Sequence, residues 1–491
     1  MKNQITIKDC GMLNSILNFC VEEVAEYPES PDTINIILNA VQAVRVTMLM
    51  ETNRLQSLYL CEMLQSYSIQ SQRYTRYDGE INDIAIFNNS KLFTEGEQEA
   101  IAETIKKCRD LYLKMTELKE GSENKTKFTI DDFKYGIPVE DGRFILPLAI
   151  CCNKECTFEG INFFKLLKLF ETHEGIFPGM YEMLMEEIIR YLNTKPGIGE
   201  LSEDGESCIL SIIKLIINNI DVETRTLPSR FFNRYGNKEE IAEVNLLKDD
   251  INRYSAMRLT GAAALMCTTG GKTAEEVFNS KTEEEFKKIT ERVSGDQHHT
   301  SIAENASYTF LMKMSVACYN QYVRARHQQC LREEFDIETT HSVLVPSTIS
   351  ISGFAKEFIA MANELIMLIC KLIENTQNCF GNSNLADITR KNRMDAIKQL
   401  YPMGTELRIL CTTNLVNELI NKAPKRTCNK AQWEIAQITR TVINIIANDI
   451  GKDNRLLEVA KPGCCTKNGC PEGKGRCKDN SNVIKIFGIN K

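Results

Sequence analysis

The chain has no surplus of positive charge. Its 59 Lys and Arg stand against 66 Asp and Glu, a formal net charge of −7. A sequence-independent nucleic-acid binder needs cations to neutralise phosphates, so no nucleic-acid partner is expected. Local basic clusters can still hold one phosphate. Runs of 18 apolar residues are also missing. The strongest candidate, CILSIIKLIINNI, is broken by Lys214, Asn218 and Asn219, so no transmembrane helix is expected. The first residues, MKNQITIKDCGM, lack the apolar core of a signal peptide. Together these absences lead us to expect a cytoplasmic chain.

What is present is ordinary globular composition: 491 residues, 43% hydrophobic and 25% charged, enough for two or more domains with real cores. Nineteen Cys is a high count. Most, including Cys61, Cys267, Cys318, Cys370 and Cys411, lie in apolar or helical surroundings and are expected to be reduced core thiols. Helical periodicity is strong in SCILSIIKLIINNI, at 355–376 and at 431–450, and RLQSLYLCEML carries it at Leu55, Leu58, Tyr59 and Met63. Strand-like stretches such as HSVLVPSTISI and VIKIFGI are fewer and shorter. The expected class is α+β, helix-rich, with some sheet.

Breaker-rich stretches at 193–207 and 221–240 divide the chain into two halves, and the halves read as distant repeats. AVRVTMLMETNRLQSLYLCEMLQSYSIQSQRY in the first matches ASYTFLMKMSVACYNQYVRARHQQCLREEF in the second. At a constant offset of 263, Ser315 meets Thr52, Arg324 meets Cys61 and Glu334 meets Ser71. Each segment reads as a helical apolar pattern ending in a polar cluster. Each half then carries a Leu–Pro element, RFILPLAI or QLYPMGTEL, and a long helical region ending in MEEI or QWEI.

Three clusters carry chemistry. In QYVRARHQQ, Gln321, Arg324 and Arg326 crowd a helix end beside His327. Neighbouring guanidiniums repel unless an anion lies between them, and Arg presents planar bidentate donors that suit phosphates. The plainer reading is a solvated basic face. In HHTSIAENASYTF, His299, Ser301 and Glu304 lie just before an expected buried helix. Adjacent His298 and His299 do not share a helical face as metal ligands, and Ser301 with Glu304 also reads as a capping box. In SIQSQRYTRY, Ser71 and Arg73 are two apart, so extended backbone aims both at one side and helix does not. The plain reading there is a polar exit loop.

With these residues in view, the chain resembles the flavin-dependent thymidylate synthase (ThyX) family. That family's signature is Arg-His-Arg, seven residues, then S-x-R-Y. An H-x-S-x-x-E-H element and Q-x-x-R precede it; R-x-x-L-P and A-Q-x-E-I-R follow. The second half keeps His299, Ser301 and Glu304, with Asn305 in place of the second His. It keeps Gln321, Arg324 and Arg326, with Ala325 at the central position. Glu334 stands where the Ser is expected, and Ala436 where the last Arg is. The first half keeps Ser66, Ser71, Arg73 and Tyr74, then Arg143, Leu146 and Pro147. Cys61, Glu62 and Met63 fill its Arg-His-Arg positions.

The losses are complementary. The resemblance implies two ThyX-like units with mixed sheet and long helices, over residues 1–225 and 226–460, with a Cys-rich tail at 461–491. It implies FAD bound by His299, Ser301, Glu304, Arg324 and Arg326, and dUMP bound by Ser71, Arg73, Tyr74, Arg143 and Gln321. Methylenetetrahydrofolate and NADPH are the implied co-substrates. The family's sites lie between subunits of a tetramer, so a duplicated chain is expected as a dimer with sites composed from both repeats. No thiolate nucleophile is implied, and the sequence singles out no catalytic residue. Rival readings are a related enzyme for another pyrimidine nucleotide, and a non-catalytic nucleotide-binding or assembly protein. In the tail, Cys464, Cys465, Cys470 and Cys477 suit a tetrahedral Zn site, although adjacency makes one of the first two a doubtful ligand. A reduced irregular tail, a disulfide or a cluster are the alternatives. A similar tail with CPEG occurs in some members of the family.

Overall fold

The computed structural model describes residues 4–27, 30–63, 66–69, 76–77, 92–117, 136–194, 201–239, 241–247, 254–294, 297–325, 329–336, 339, 342–378, 384–466, 469–471 and 481. Strand β1 (Ile5–Gly11) leads into helices α1 (Leu13–Glu26) and α2 (Pro31–Ala40). Strand β2 (Arg45–Asn53) buries Val46, Met48 and Met50 and turns Arg45 and Leu49 outward. That period of two belongs to a half-buried strand, and it corrects the helical reading of AVRVTMLM. At Asn53 the chain becomes helix α3 (Arg54–Glu62), as its Leu rhythm predicts. Asn53 and Gln56 cap it reciprocally. The Gln56 N–H donates to Asn53 Oδ1 at 2.9 Å, and the Asn53 N–H to Gln56 Oε1 at 2.8 Å. Then come β3 (Ser66–Ile69), α4 (Glu95–Met115), β4 (Cys151–Glu159), α5 (Ile161–Thr172), α6 (Met180–Thr194) and α7 (Glu203–Asn218). The four strands form an antiparallel sheet in the order β1-β2-β4-β3.

The later chain repeats this plan. It supplies β5 (Thr226–Leu227), β6 (Val244–Leu246), α8 (Ala256–Met266), α9 (Glu283–Ser294), β7 (Ser307–Ser315) and α10 (Val316–Tyr322). It continues through β8 (Gln329–Glu333), α11 (Ala355–Asn378), α12 (Asn384–Ile397), β9 (Glu406–Asn414) and α13 (Trp433–Ile450). The second sheet has the order β5-β8-β9-β7-β6, with β5 parallel to β8 and the other pairs antiparallel.

Register makes the likeness specific. Thr47 faces Thr157 and their hydroxyls meet at 2.9 Å; Thr309 faces Thr412 and theirs meet at 3.0 Å. Asn53 and Ser315 both sit at the strand–helix junction, and Ser315 Oγ accepts the Cys318 N–H at 3.0 Å. Ser315 therefore corresponds to Asn53 rather than Thr52, one residue away from the constant-offset pairing. One extra residue before β8 restores that offset, since Ser66 faces Thr157 as Gln329 faces Thr412.

The chain forms two compact units, interleaved in sequence. One holds Met1–Glu117, Ile137–Thr224 and Phe335–Thr405; the other holds Arg225–Glu334 and the chain from Glu406 onward. In the first unit α11 packs along α4, tied by Lys107 to Glu364 at 2.8 Å and Lys114 to Glu357 at 2.7 Å. The buried face of α11 carries Phe358, Met361, Ala362, Leu365, Ile369, Leu372 and Ile373, a helical stripe. The two proline elements, Leu146–Pro147 and Tyr401–Pro402, pair with each other in this unit. The Leu148 N–H donates to Tyr401 O and the Met403 N–H to Leu146 O, both at 2.9 Å. Pro147 and Pro402 face across this bridge at positions that need no N–H.

The described residues of HSVLVPSTISI, 342–351, do not form a strand. Val343 makes an isolated bridge with Thr405, and Pro346 then caps a short helix, Ser347–Ser350. VIKIFGI lies outside the described residues. Cys61, Cys318 and Cys411 are buried and Cys370 is half-buried, but Cys267 is exposed, which corrects its reading as a core thiol. None of the described cysteines is in a disulfide. Among the described residues no helix is long and apolar enough to cross a membrane.

Candidate functional site

Helix α10 is the best-built part of the candidate site. Val316, Ala317, Cys318, Tyr319, Gln321 and Tyr322 are all buried. Its first turn is held by Glu434 of the QWEI element, which accepts the Ser315 N–H and the Ser315 hydroxyl, each at 2.6 Å. Burial pushes the Glu434 carboxyl up to about 7, against the opposing pull of those hydrogen bonds. At the other end, the Gln321 backbone carbonyl accepts from Arg426 Nη2 at 3.3 Å. Gln321 Nε2 is buried and has no hydrogen-bond partner among the described residues. Arg324 follows on a 3₁₀ turn, Val323–Ala325, and is exposed. Arg326 and His327 lie outside the described residues. A buried amide donor beside an exposed guanidinium suits a polar, anionic ligand at this helix end.

His299, Ser301 and Glu304 occupy a 3₁₀ segment, Gln297–Asn305, that leads into strand β7 rather than into the expected helix. Ser301 sits inside this segment, so it is not an N-cap and the capping-box reading does not hold. Ser301 and Glu304 are exposed, and the Asn305 amide donates to Ile302 O at 3.0 Å. Both this element and the Val323–Ala325 turn that carries Arg324 contact the segment Val416–Lys422. The 3₁₀ segment enters β7 at Ser307 and α10 starts beyond Ser315, but α10 runs back over the sheet: the Tyr322 hydroxyl lies 3.6 Å from Cys411 Sγ, Cys411 faces Phe310, and β8 starts at Gln329 opposite Thr412, which itself faces Thr309.

In the second unit, the place matching the nucleotide segment is filled by its own ions. Arg332 and Glu333 on β8 are fully buried. Glu333 accepts the Arg408 N–H at 3.0 Å and Arg408 Nε at 3.1 Å, with Lys238 Nζ at 3.7 Å. Arg408 also donates to Asn233 Oδ1 at 2.6 Å and Ser229 O at 3.2 Å. Burial raises the Glu333 carboxyl, but the Arg408 hydrogen bonds and the Lys238 charge bring it below the usual range. The Glu334 N–H donates to Leu227 O at 2.8 Å, which extends the β5–β8 pairing. One carboxylate thus engages both Arg408 and Lys238.

In the first unit, Ser71, Arg73 and Tyr74 lie outside the described residues. The chain leaves on edge strand β3 and is described again at Arg76 and Tyr77. Arg76 donates to Thr116 Oγ1 at 3.1 Å and Leu113 O at 2.8 Å; Tyr77 donates to Cys151 O at 3.0 Å. Arg143 is buried on a 3₁₀ turn, its Nε donating to Glu140 O at 3.1 Å. Two buried cations escaped the sequence reading. Arg54 Nη2 donates to the Tyr77 hydroxyl at 3.4 Å, and Lys154 Nζ lies 3.1 Å from Ser57 O and 3.3 Å from Cys61 Sγ. The signal was available for Lys154, a lone cation in the Cys-rich strand CCNKEC.

In the tail, Cys464 and Cys465 have their sulfurs 3.9 Å apart. Burial and the neighbouring Cys465 push the Cys464 thiol up to about 11, and burial raises Cys465. Cys428 is a further electrostatic neighbour of both. Cys470 is half-buried, and Cys477 lies outside the described residues. No group of three His, Cys, Asp or Glu among the described residues is arranged to hold a metal ion.

Comparison with known proteins gives a consistent result. The family model for thymidylate synthase complementing protein matches residues 44–175 and 251–450. The flavin-dependent thymidylate synthase of Geobacter sulfurreducens is 27% identical over 195 residues, covering 38% of this chain and 75% of that protein. The Pyrococcus abyssi enzyme of the same description is 26% identical over 203 residues, covering 40% and 78%. A solved Helicobacter pylori flavin-dependent thymidylate synthase, complexed with FAD and dUMP, matches 41% of this chain and 93% of its own. Its sequence identity is 18% and its TM-score 0.27.

Proposed function

Because the chain belongs to the thymidylate synthase complementing protein family, we propose that it carries out flavin-dependent reductive methylation of dUMP. Methylenetetrahydrofolate is the carbon donor and NADPH the reductant. The observation that carries this reading is the family match on both sides of the chain's midpoint. It is supported by the recurrence of one strand register and one capped strand–helix junction in both units. A tandem duplication accounts for that recurrence.

The residues present fit a flavin nucleotide. Gln321 Nε2 is a buried donor with no partner among the described residues, and Arg324 is an exposed cation one turn on. FAD, when bound, supplies the hydride transfer. Arg324, Arg326, His299, Ser301 and Glu304 hold it in this reading, and Gln321 orients the pyrimidine. Ser71, Arg73, Tyr74 and Arg143 of the first repeat hold the nucleotide phosphate. In this reading the second repeat does not duplicate that role, because Arg408 and Lys238 there are engaged by Glu333. A homodimer is the expected assembly, two duplicated chains standing in for a tetramer of single units.

The test is a visible spectrum of the purified protein, followed by turnover with FAD, dUMP, methylenetetrahydrofolate and NADPH. Flavin absorbance and release of the uracil C5 hydrogen are expected. A colourless protein that ignores millimolar FAD refutes the proposal. One observation favours a second reading: Ala325, Glu334 and Ala436 stand where the family motif has His, Ser and Arg. FAD and nucleotide binding without turnover of dUMP, or with turnover of another pyrimidine nucleotide, decides for that reading.

A further inference from the structure

Beneath α10 lies a group of side chains that the flavin reaction does not use. Cys330 on β8 and Cys411 on β9 are direct cross-strand partners. Both are fully buried, and their sulfurs lie 3.5 Å apart. The Tyr322 hydroxyl is 3.6 Å from Cys411 Sγ, and Lys422 Nζ donates to the same hydroxyl at 2.7 Å. Lys422 also pairs with Glu418, and all three of these residues are buried. The lysine and glutamate come from a π-helical segment, Val416–Lys422, a rare geometry that often marks functional positions.

The fold does not require two thiols here. The matching cross-strand pair in the first sheet is Tyr67 with Cys156. Geometry, however, suits a bond between them. Antiparallel cross-strand partners have Cα atoms about 4.5–5.5 Å apart, inside the roughly 4.4–6.8 Å that a disulfide spans. Closing the sulfurs from 3.5 Å to a bond of about 2.05 Å asks for side-chain rotation, not strand movement.

We propose that Cys330 and Cys411 form a reversible disulfide, a modification site whose co-reactant is a hydroperoxide. Cys411 is the attacking sulfur. The hydrogen bond from Cys330 and the Lys422 charge hold its thiol below the usual range, while that same bond and burial raise Cys330. Cys411 Sγ attacks one peroxide oxygen; the S–O bond forms, the O–O bond breaks, and the departing oxygen takes up the proton lost by the thiol. Cys330 Sγ then attacks the Cys411 sulfur. The S–S bond forms, the S–O bond breaks, and hydroxide leaves as water with the Cys330 proton. The two sulfurs together lose two electrons, and the peroxide is reduced. Oxidation removes the Cys330 donor from Cys411 and changes the partner of Tyr322, which adjoins Gln321 on α10. The redox state of the pair is therefore felt at the candidate ligand end of the helix.

The test uses the full-length native protein and hydrogen peroxide, a probe small enough to enter through strand breathing. After graded exposure the thiols are alkylated, and non-reduced peptides are read by mass spectrometry. The expected product is a Cys330–Cys411 cross-linked peptide, two hydrogens lighter than the two thiol peptides together and released by dithiothreitol. With Cys330→Ser, the Cys411 peptide should instead gain oxygen. If that variant fails to fold, the wild-type measurement still decides. Exposed Cys208 and Cys267 serve as internal controls. The proposal is overturned if they are fully oxidised while Cys330 and Cys411 stay alkylatable. A cross-link that forms only in denaturant overturns it equally.

Discussion

Glu434→Gln removes a buried charge from the head of α10 and leaves the shape of the side chain intact. In the native protein burial lifts this carboxyl from 4.5 to about 7. Each pH unit of such a shift is about 1.36 kcal/mol, so ionising Glu434 in place costs about 3 kcal/mol. The favourable field of a short helix N-terminus is about 0.3–1 kcal/mol, too small to reverse that sign. The sign follows from proton binding. Between about 4.5 and 7 the native state holds a proton that the unfolded chain has released. Stability is therefore greatest below that window, falls as pH rises through it, and levels off above about 7. For wild type the loss between pH 5 and pH 8 should be about 2–3 kcal/mol from this group. Gln at 434 can still accept the Ser315 N–H through its carbonyl, and its amide can donate to Ser315 Oγ. The variant should lack this pH-dependent loss and gain up to about 3 kcal/mol on wild type at pH 8. Urea denaturation at pH 5, 6, 7 and 8 reads this as the shift in midpoint at unchanged slope. Parallel pH profiles for the two proteins would refute the reasoning, because Glu434 would then be ionised throughout.

Three further outcomes are expected. Glu333→Gln leaves Arg408 buried without its ionic partner and should cost about 3–5 kcal/mol by urea denaturation; an unchanged midpoint would mean that water reaches the pair. Gly175→Ala places a Cβ against the backbone of Asn392, so it should cost about 1–3 kcal/mol and lower the melting temperature. By calorimetry, Arg73→Ala should weaken dUMP binding by about 2–5 kcal/mol with FAD binding nearly unchanged, and Arg324→Ala should weaken FAD first; equal binding of dUMP by Arg73→Ala and wild type makes SIQSQRYTRY a polar loop.

The helices at 203–218, 355–378 and 433–450 were legible because each carries a continuous apolar stripe. The strand–helix junctions were not. In both repeats an apolar strand runs directly into an apolar helix, and only the caps at Asn53 and Ser315 divide them. A period-two segment fused to a period-3.6 segment looks helical when read as one. The value of Arg408 was also hidden, since its partners Glu333, Asn233 and Ser229 are far apart in sequence. Gln321 was legible by spacing from Arg324, and its burial adds what spacing cannot. Cys330 and Cys411 were visible only as two of many thiols, because register between distant strands cannot be read from composition.

The interleaving of Phe335–Thr405 into the first unit bears on how the chain is made. A ribosome that has just released residue 224 has produced the whole first sheet but neither α11 nor the strand that faces Leu146–Leu148. About 180 more residues must follow before Thr405 appears. At about 5–20 residues per second that is roughly 10–35 seconds. Through that interval α4 lacks its long helical neighbour, and Pro147 lacks Pro402. Sequence order and assembly order therefore differ: the first unit to be started is closed only after most of the second has been synthesised. Nascent chains stalled between residues 224 and 405 would present an unfinished apolar surface, and chaperone demand should be concentrated in that window.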